Sequence, residues 1–350
     1  MTSPAPAAAE LGLEAIVHEA LGTPAAPEVA PLLPILVRDL TEIDWRLDEA
    51  LGAQYTRLSE AARYACSTGG KRIRPLLMAV VHRALGAEEV RPIRSLAAAS
   101  QLIHTATLVH DDVIDHADLR RGRPSMPRAY GTPLAIVTGD YLFVRAFELA
   151  AEYPRSIILR SAAACADLVE GEVLQEAGRF DLSMTREQYY RIIDRKTAAL
   201  ISAALASVAE ARGASDEVVR AAAAYGRALG LAFQLRDDLL DVFGDPDLIG
   251  KPLYTDLREG TPTLVSIEAF RALPSRAQAE FERLFSLRRK KTKHLIRLSE
   301  LIRSTDVAAE LTNEARQWAE NAVRSLDPFP AGPYRELLVW LARGAVDRRF

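Results

Sequence analysis

The chain is poor in the features that mark secreted and membrane-spanning proteins. Among its 350 residues there are only two cysteines, Cys66 and Cys165, which give neither a metal-ligand spacing nor a disulfide framework. The first 37 residues contain no Lys or Arg, so the charged start of a secretory signal is missing. No uninterrupted apolar run reaches the roughly 18 residues that a membrane span needs. These absences predict a cytoplasmic protein without a transmembrane segment.

A surplus of basic charge is also missing. The formal net charge is −3, whereas a nucleic-acid-binding domain usually carries a basic surplus or stripe. We therefore expect no nucleic-acid partner. The exception is the basic cluster Arg288–Lys293, in which five of six residues are Lys or Arg. Its simplest interpretation is a solvated loop or helix end, and contact with anionic lipid or another partner is the less favoured alternative.

Strand signals are nearly absent, and aromatic residues make up only 7% of the chain. Apolar residues recur at helical spacing from Leu32 to beyond Pro333, with long helices predicted over 185–212 and 216–243. The sequence therefore predicts an all-α fold, a single large helical domain over residues 31–350. Residues 1–30, rich in Ala and Pro, are predicted to form a flexible leader.

The most informative feature is an aspartate pattern that occurs twice. The pattern Asp-Asp-x-x-Asp begins at Asp111 and again at Asp237, in each case within an apolar helical segment. At about 100° per residue, the three carboxylates of each copy fall on one face of a helix. The full sets are Asp111, Asp112 and Asp115, and Asp237, Asp238 and Asp241.

Three like charges on one face repel one another unless a cation joins them. Ligation by oxygen atoms alone favours a hard ion, and Mg²⁺ fits best because it is held by one or two carboxylates with water and substrate phosphates. The alternative is a pair of solvated acidic faces. The repetition of the pattern and the arginines that follow the first copy favour metal binding.

Separate groups of cations accompany the aspartates. The segment Thr68–Pro75 combines two glycines with three cations ahead of a helix, which suits an anion, although it is not a Walker loop. Arg120 and Arg121 follow the first motif, and Lys196 and Lys251 lie farther along. Two carboxylate clusters with several cation groups describe a site for two polyanions, one bridged through metal and one held directly.

No sequence motif for a strong protein nucleophile or a zinc hydrolase is present, such as Gly-x-Ser-x-Gly or His-Glu-x-x-His. Charge stabilisation and exclusion of water are therefore the expected means of catalysis. The departure of a metal-bound diphosphate from an allylic carbon needs only charge stabilisation and exclusion of water, and no strong protein nucleophile.

Across roughly residues 35–345 the chain resembles the trans-isoprenyl diphosphate synthases, or polyprenyl synthetases, and most resembles the medium- and long-chain bacterial members. The matching blocks are Gly69–Pro75, His104–Asp115, Leu119–Pro124, Gly139–Tyr141, Lys196–Thr197, Gly230–Asp241 and Gly250–Pro252. The resemblance implies an isoprenoid synthase fold with helices around a central cavity. It also implies a Mg²⁺-dependent, homodimeric prenyltransferase that condenses isopentenyl diphosphate with an allylic diphosphate.

The resemblance also implies roles for individual residues. Asp111, Asp115 and Asp237 would bind Mg²⁺, supported by Asp112, Asp238 and Asp241. The residues expected to contact the allylic substrate are Arg120, Lys196, Thr197, Gln234 and Lys251, and those expected to hold isopentenyl diphosphate are Lys71, Arg74, His104 and Arg121. On periodicity alone, His104 would be interpreted as a packed core histidine.

Two positions depart from the family pattern. Thr261 replaces the usual diphosphate-binding lysine, and Tyr254 stands where Gly is common. Ala106 and Thr107, five and four positions before Asp111, are small where short-chain synthases have bulky residues. They imply a product of twenty carbons or longer.

Three alternatives stay open at this point. A class I terpene cyclase would be expected to have an Asn/Ser/Glu-type second motif, which the intact Asp237–Asp241 motif opposes. A regulatory subunit of a heterodimeric prenyl synthase would be expected to have an eroded motif. A helical scaffold protein would need neither motif nor the cations between them.

Overall fold

The computed structural model describes residues 30–67, 72–245 and 253–347. Within these ranges the regular structure is helical apart from one hairpin, whose two strands have two residues each. This confirms the all-α prediction. The predicted leader lies outside the described residues except for Ala30, and so do Lys71 and Lys251.

The chain divides into two compact units. Of the described residues, the first comprises 30–67, 72–162, 203–223 and 328–338, and the second comprises 163–202, 224–245, 253–327 and 339–347. The organisation as one domain over 31–350 stays a prediction.

The first unit contains the N-terminal helices and the hairpin. Its elements are α1 (Leu33–Ala50), α2 (Thr56–Ser67), α3 (Ile73–Ala84), α4 (Arg94–Ile114), β1 (Leu119–Arg120), β2 (Arg123–Pro124), α5 (Met126–Tyr130) and α6 (Thr132–Ala150). The helices that contribute residues to both units are α7 (Arg155–Ala177), α9 (Ala199–Ala211), α10 (Asp216–Phe243) and α16 (Pro333–Asp347).

The second unit contains the remaining helices. They are α8 (Arg186–Ile193), a π-helical segment (Asp194–Ala198), α11 (Thr255–Glu259), α12 (Leu264–Ala272), α13 (Ser275–Phe285), α14 (Thr292–Arg303) and α15 (Val307–Ser325). No helix in the described part of the chain is long and apolar enough to cross a membrane.

The predicted helix over 185–212 is wrong in one respect, because it is interrupted. Thr185 caps α8 in a reciprocal capping box with Gln188, as its side chain type predicts. The chain then passes through the π-helical segment before α9 begins. A π turn contains one extra residue, which shifts the phase of the apolar pattern but leaves the helical spacing on each side of it unchanged. The spacing within either side therefore does not reveal the π turn.

A proline precedes the start of α4. Pro92 lies in a 3₁₀ turn over Arg91–Ile93, and α4 itself begins at Arg94. Its C-terminal end is the important one, because the first aspartate motif lies in its last turn and Asp115 is its C-cap residue.

The hairpin that follows α4 is made by a two-residue turn. Arg121 and Gly122 both have positive φ angles, 52° and 75°, which is the pairing that a tight antiparallel turn requires. Tyr64 Oη donates to the carbonyl of Pro124 at 2.7 Å, and Arg123 donates to the carbonyl of Ser67 at 2.9 Å. These bonds tie the hairpin to the end of α2.

Each unit has its own apolar core. In the first, Leu36, Leu40 and Leu76 are buried, and a buried ion pair joins Arg83 to Asp39 at 2.5 Å. In the second, Phe281 and Phe285 stack with ring centroids 6.0 Å apart. These cores hold in place the helix ends that carry the aspartate motifs.

Candidate active site

The first motif presents its three carboxylates differently. Asp111 is half-buried, Asp112 is buried and Asp115 is exposed. The N–H of Asp115 donates to the carbonyl of Asp111 at 2.8 Å, so the helical path continues through the cap. At about 100° per residue, His104 lies on the same side of α4 as Asp111 and Asp115.

The two positions proposed to control chain length also lie on α4. Thr107 is 8% exposed and its hydroxyl donates to the carbonyl of His104 at 2.8 Å. Ala106 is fully buried. Helical geometry puts Ala106 roughly opposite the side that carries His104 and Asp111. Thr107 is therefore the better placed of the two to act on a substrate bound beside the motif.

The hairpin brings Arg120 back to the buried member of the motif. Arg120 Nε lies 2.8 Å from Asp112 Oδ1, and its Nη2 lies 2.6 Å from the same oxygen. Burial raises the pKa of Asp112, and the guanidinium of Arg120 opposes that shift. The pair fixes the hairpin against the end of α4.

His104 lies among arginines. Although part of its surface is accessible, its pKa is held well below the usual value, first by burial and then by Arg74, Arg121, Arg120 and Arg72 in that order. The histidine is therefore neutral at pH 7. Positive charge that lowers the pKa of a histidine is also positive charge that attracts an anion.

Two of these arginines are themselves constrained. Burial, followed by the charge of Arg121, lowers the pKa of Arg74 to about 10. Among the described residues the buried Arg74 Nε has no hydrogen-bond partner. Arg72 lies 3.2 Å from Asp44 Oδ1 and donates to the carbonyl of Cys66 at 3.2 Å. A buried guanidinium N–H without a hydrogen-bond partner is costly, so Arg74 is suited to donate to an incoming acceptor.

The second motif lies near the end of α10, where neutral groups hold the buried Asp238. Tyr189 Oη donates to Asp238 Oδ2 at 2.6 Å, and Gln234 Nε2 donates to Oδ1 at 2.9 Å. Thr197 donates in turn to Gln234 Oε1 at 2.9 Å. Burial raises the pKa of Asp238 to about 7, against these hydrogen bonds.

The last carboxylate of the second motif caps another helix. Asp241 accepts the backbone N–H groups of Thr255 at 2.9 Å and Asp256 at 3.2 Å, at the start of α11. The residue before this helix, Tyr254, has a left-handed backbone with φ 65°. A left-handed backbone favours Gly, which explains why the resemblance implies Gly at this position.

The π-helical segment places Lys196 and Thr197 within the second unit. A Cβ on Gly171 of α7 would lie 2.8 Å from Lys196 N, and one on Gly230 of α10 would lie 2.7 Å from Ala198 Cα. Both helices can approach the segment only because these residues lack side chains. Lys196 Nζ lies 2.5 Å from Glu172 Oε2.

The donor set fits a magnesium ion bound together with phosphate. In the described ranges, no three Asp, Glu, His or Cys side chains already converge as a metal cage. Mg²⁺ does not need one, since it takes one or two carboxylates and completes its shell with water and substrate oxygens. Asp111 and Asp115 in the first unit, and separately Asp237 in the second, are at least partly accessible and offer only oxygen ligands.

Three residues of these surroundings were not predicted from the sequence. They are Tyr189, which contacts Asp238, Glu172, which pairs with Lys196, and Asp256. The pKa of Asp256 is raised well above its usual value by burial and then by the charges of Asp241 and Asp238. Each contact joins segments far apart in the chain, and local spacing carries no signal for it. At the variant position Thr261, the buried hydroxyl has no hydrogen-bond partner among the described residues.

An all-α fold with two Asp-Asp-x-x-Asp motifs and clustered cations defines a synthase of the isoprenoid type. The sequence matches the polyprenyl synthetase family over residues 55–302. The chain therefore belongs to this family, as predicted, and it is a transferase of prenyl groups.

Individual relatives extend the match over nearly the whole chain. Octaprenyl diphosphate synthase of Escherichia coli is 34% identical over 90% of this chain and 97% of its own length. A short chain isoprenyl diphosphate synthase of Methanothermobacter thermautotrophicus is 34% identical over 83% and 90%. The crystal structure of a polyprenyl synthase from Caulobacter crescentus, complexed with calcium and isoprenyl diphosphate, has a TM-score of 0.87 at 35% identity and covers 92% of this chain and 98% of that chain.

Proposed function

We propose that the protein condenses isopentenyl diphosphate with an allylic diphosphate, head to tail and in trans geometry, to make a polyprenyl diphosphate of twenty carbons or longer. The observation that carries this proposal is a cavity lined by Arg72, Arg120 and Arg121 together with Asp112; the same three arginines and Arg74 lower the pKa of His104. That cluster suits a diphosphate held directly by protein cations, beside a carboxylate motif suited to a diphosphate held through metal.

The residues divide between the two substrates. Arg74, His104 and Arg121 hold isopentenyl diphosphate, together with Lys71, which lies outside the described residues. Lys196, Thr197 and Gln234 bind the allylic diphosphate with Arg120 and with Lys251, also outside them. To reach a phosphate oxygen, Lys196 exchanges its pairing with Glu172 for the substrate. Thr197 and Gln234 are already oriented by their hydrogen bonds to each other and to Asp238.

Asp111, Asp115 and Asp237 would hold Mg²⁺, which supplies charge neutralisation of the departing diphosphate. Asp112, Asp238 and Asp241 support these ligands through their own hydrogen bonds. The calcium ion in the Caulobacter crescentus structure is a hard, oxygen-preferring ion of the same kind.

The chain contributes position and charge to the reaction, and no nucleophile. The allylic C–O bond breaks with its electron pair going to the diphosphate, and the isopentenyl double bond attacks the resulting cation. A proton then leaves the new chain for the departing diphosphate, which restores a double bond. His104 is neutral and surrounded by cations, so it orients substrate and need not accept this proton.

Product length depends on the space beside α4. Thr107 is small, which supports a long product, and the octaprenyl synthase relative supports it too. The replacement Thr107→Phe should shorten the main product, measured by mass spectrometry of the prenyl chains. Thr107→Ser, which keeps the hydroxyl and the space, serves as the control. An unchanged product distribution in the Phe variant would show that Thr107 does not line the path of the growing chain.

A cytoplasmic homodimer is the assembly that we propose. On α6, the apolar side chains Ile136, Val137 and Val144 are 43%, 52% and 56% exposed, which supports burial against a second copy. Light scattering coupled to gel filtration should give twice the mass of the chain. A monomeric mass would contradict the dimer.

The first experiment supplies purified protein with Mg²⁺, isopentenyl diphosphate and geranyl, farnesyl or geranylgeranyl diphosphate in turn. A ladder of prenyl products that ends at one length is the expected result. Cyclic hydrocarbons without elongation would indicate a class I terpene cyclase. No turnover with any primer would indicate a regulatory subunit that needs a partner.

A further inference from the structure

The basic cluster Arg288–Lys293 belongs to a strongly polarised part of the second unit. Helices α13 and α14 with the loop between them, residues 275–304, contain nine Lys or Arg and three Glu, a net charge of +6. The whole chain carries −3, so the other 320 residues carry −9. This separation of charge concentrates positive potential at one hairpin of helices.

Most of the cluster faces solvent. Arg288, Arg289, Lys291 and Lys293 are exposed, and none of them forms an ion pair with a carboxylate in the ranges the structure describes. Ile296, one turn farther along α14, is 46% exposed. Exposed cations beside an exposed apolar side chain are the composition that binds the surface of an anionic bilayer.

The remaining cation anchors the loop. Lys290 Nζ donates to the carbonyl of Leu287 at 2.8 Å and lies 4.9 Å from the ring centroid of Phe180 and 5.3 Å from that of Phe285. Arg288 also lies over Phe180, at 5.6 Å. The loop is therefore fixed on the aromatic core of the unit, and the other cations are presented by a supported backbone.

We propose that this surface binds the anionic face of a lipid bilayer. The inference rests on the proposed function in one respect, because a long polyprenyl diphosphate has an apolar chain that is released most readily into a membrane. Each Lys or Arg near such a surface adds to the attraction, so several together are enough for reversible attachment.

The test measures the partitioning of the full chain, without substrates, onto vesicles of phosphatidylcholine alone and of phosphatidylcholine mixed with phosphatidylglycerol. We expect binding to the mixed vesicles only, at an ionic strength of about 0.15 M, and weakening as salt is added. The variant Arg288→Gln/Arg289→Gln/Lys291→Gln/Lys293→Gln should partition at least about tenfold less.

A matched control removes the same charge from the first unit. Its four substitutions are at exposed positions: Arg57→Gln, Arg91→Gln, Arg155→Gln and Arg220→Gln. This control should bind vesicles within about twofold of the unmodified protein. An equal loss in both variants, or no preference for anionic vesicles, would overturn the proposal. Capture by an anionic polypeptide or an oligonucleotide without vesicle binding would also overturn it.

Turnover in solution separates this proposal from the proposed function. The loop variant should elongate a soluble primer at the rate of the unmodified protein, because its four positions are not among the substrate or metal residues. Vesicle binding without turnover would refute the enzyme assignment alone. Turnover without vesicle binding would refute the membrane surface alone.

Discussion

In the first aspartate motif the buried carboxylate of Asp112 receives two N–H groups from the guanidinium of Arg120, whereas in the second motif the buried Asp238 receives a phenol and a side-chain amide. The same sequence pattern thus meets opposite electrostatic surroundings. Around the first motif burial keeps a base, His104, neutral. In the second it raises the pKa of an acid, Asp238, to about 7.

The different partners of Asp112 and Asp238 indicate how strongly each motif depends on bound metal. Arg120 offsets the charge of one carboxylate of the first motif, Asp112. In the second motif neutral donors hold the buried Asp238, and backbone N–H groups hold Asp241, on which the charge of Arg258 also acts. Among the described residues Asp238 therefore has no ion pair of the kind that Asp112 has. We therefore expect the second motif to depend on bound metal more strongly than the first.

Removal of a carboxylate proposed to bind metal should have the largest effect. Asp111→Ala and Asp237→Ala should each lower kcat/KM by at least about 100-fold, since even residues that only support a metal ligand cost 10- to 100-fold. Steady-state kinetics at several Mg²⁺ concentrations is the measurement, and the Asp237 variant should need the greater increase in Mg²⁺.

Circular dichroism provides the control for both variants. Helical content should be retained, because Asp111 and Asp237 are partly accessible and do not belong to either apolar core. Turnover that stays near the original value in both variants would remove the metal assignment.

Each motif has a buried carboxylate, and removing its partner should destabilise the protein more in the first motif than in the second. Arg120→Gln leaves Asp112 buried without its cation and should cost about 2 kcal/mol in the free energy of unfolding, less than a fully buried pair because Arg120 is partly exposed. Tyr189→Phe removes one hydrogen bond to Asp238, which can take up a proton, and should cost about 1 kcal/mol. Denaturant titration without Mg²⁺ measures both. The reverse order would contradict the electrostatic comparison.

The close helix approach in the second unit can be tested at Gly230. A methyl group there meets the backbone of Ala198, so Gly230→Ala should destabilise the protein by about 1–3 kcal/mol and disturb the neighbouring Thr197. Gly344→Ala is the matched control, because nothing lies within 4 Å of the added Cβ. That helical substitution should stabilise by about 0.5–1 kcal/mol. Equal effects of the two would show that α10 does not need the glycine.

The smallest effect should come from pH. The folded-state pKa of His104 is below its unfolded value, so the native chain binds fewer protons and stability is lost as the pH falls below about 6.5. The slope due to this residue should reach at most about 1.4 kcal/mol per pH unit. Unfolding experiments between pH 7.5 and 5.5 should show that His104→Gln removes this slope and that the exposed His116→Asn keeps it. An unchanged slope in the first variant would mean that His104 is not kept neutral.

Much of the fold follows from local pattern. The bounds of α10 agree with its apolar spacing, and the carboxylates of each motif fall where about 100° per residue puts them. The contact of Tyr189 with Asp238 could not be predicted, because it joins residues 49 positions apart. The left-handed backbone of Tyr254 was equally hidden, since the residue type does not favour it.

The π-helical segment Asp194–Ala198 has a consequence for the evolution of the chain. Its extra residue shifts the register, so that everything after it is rotated by about 100° relative to an uninterrupted helix. Deletion of a single residue here would restore a regular helix and carry Lys196 and Thr197 away from Glu172 and Gln234. The number of residues in this segment, as well as their side chains, therefore determines which groups face Glu172 and Gln234.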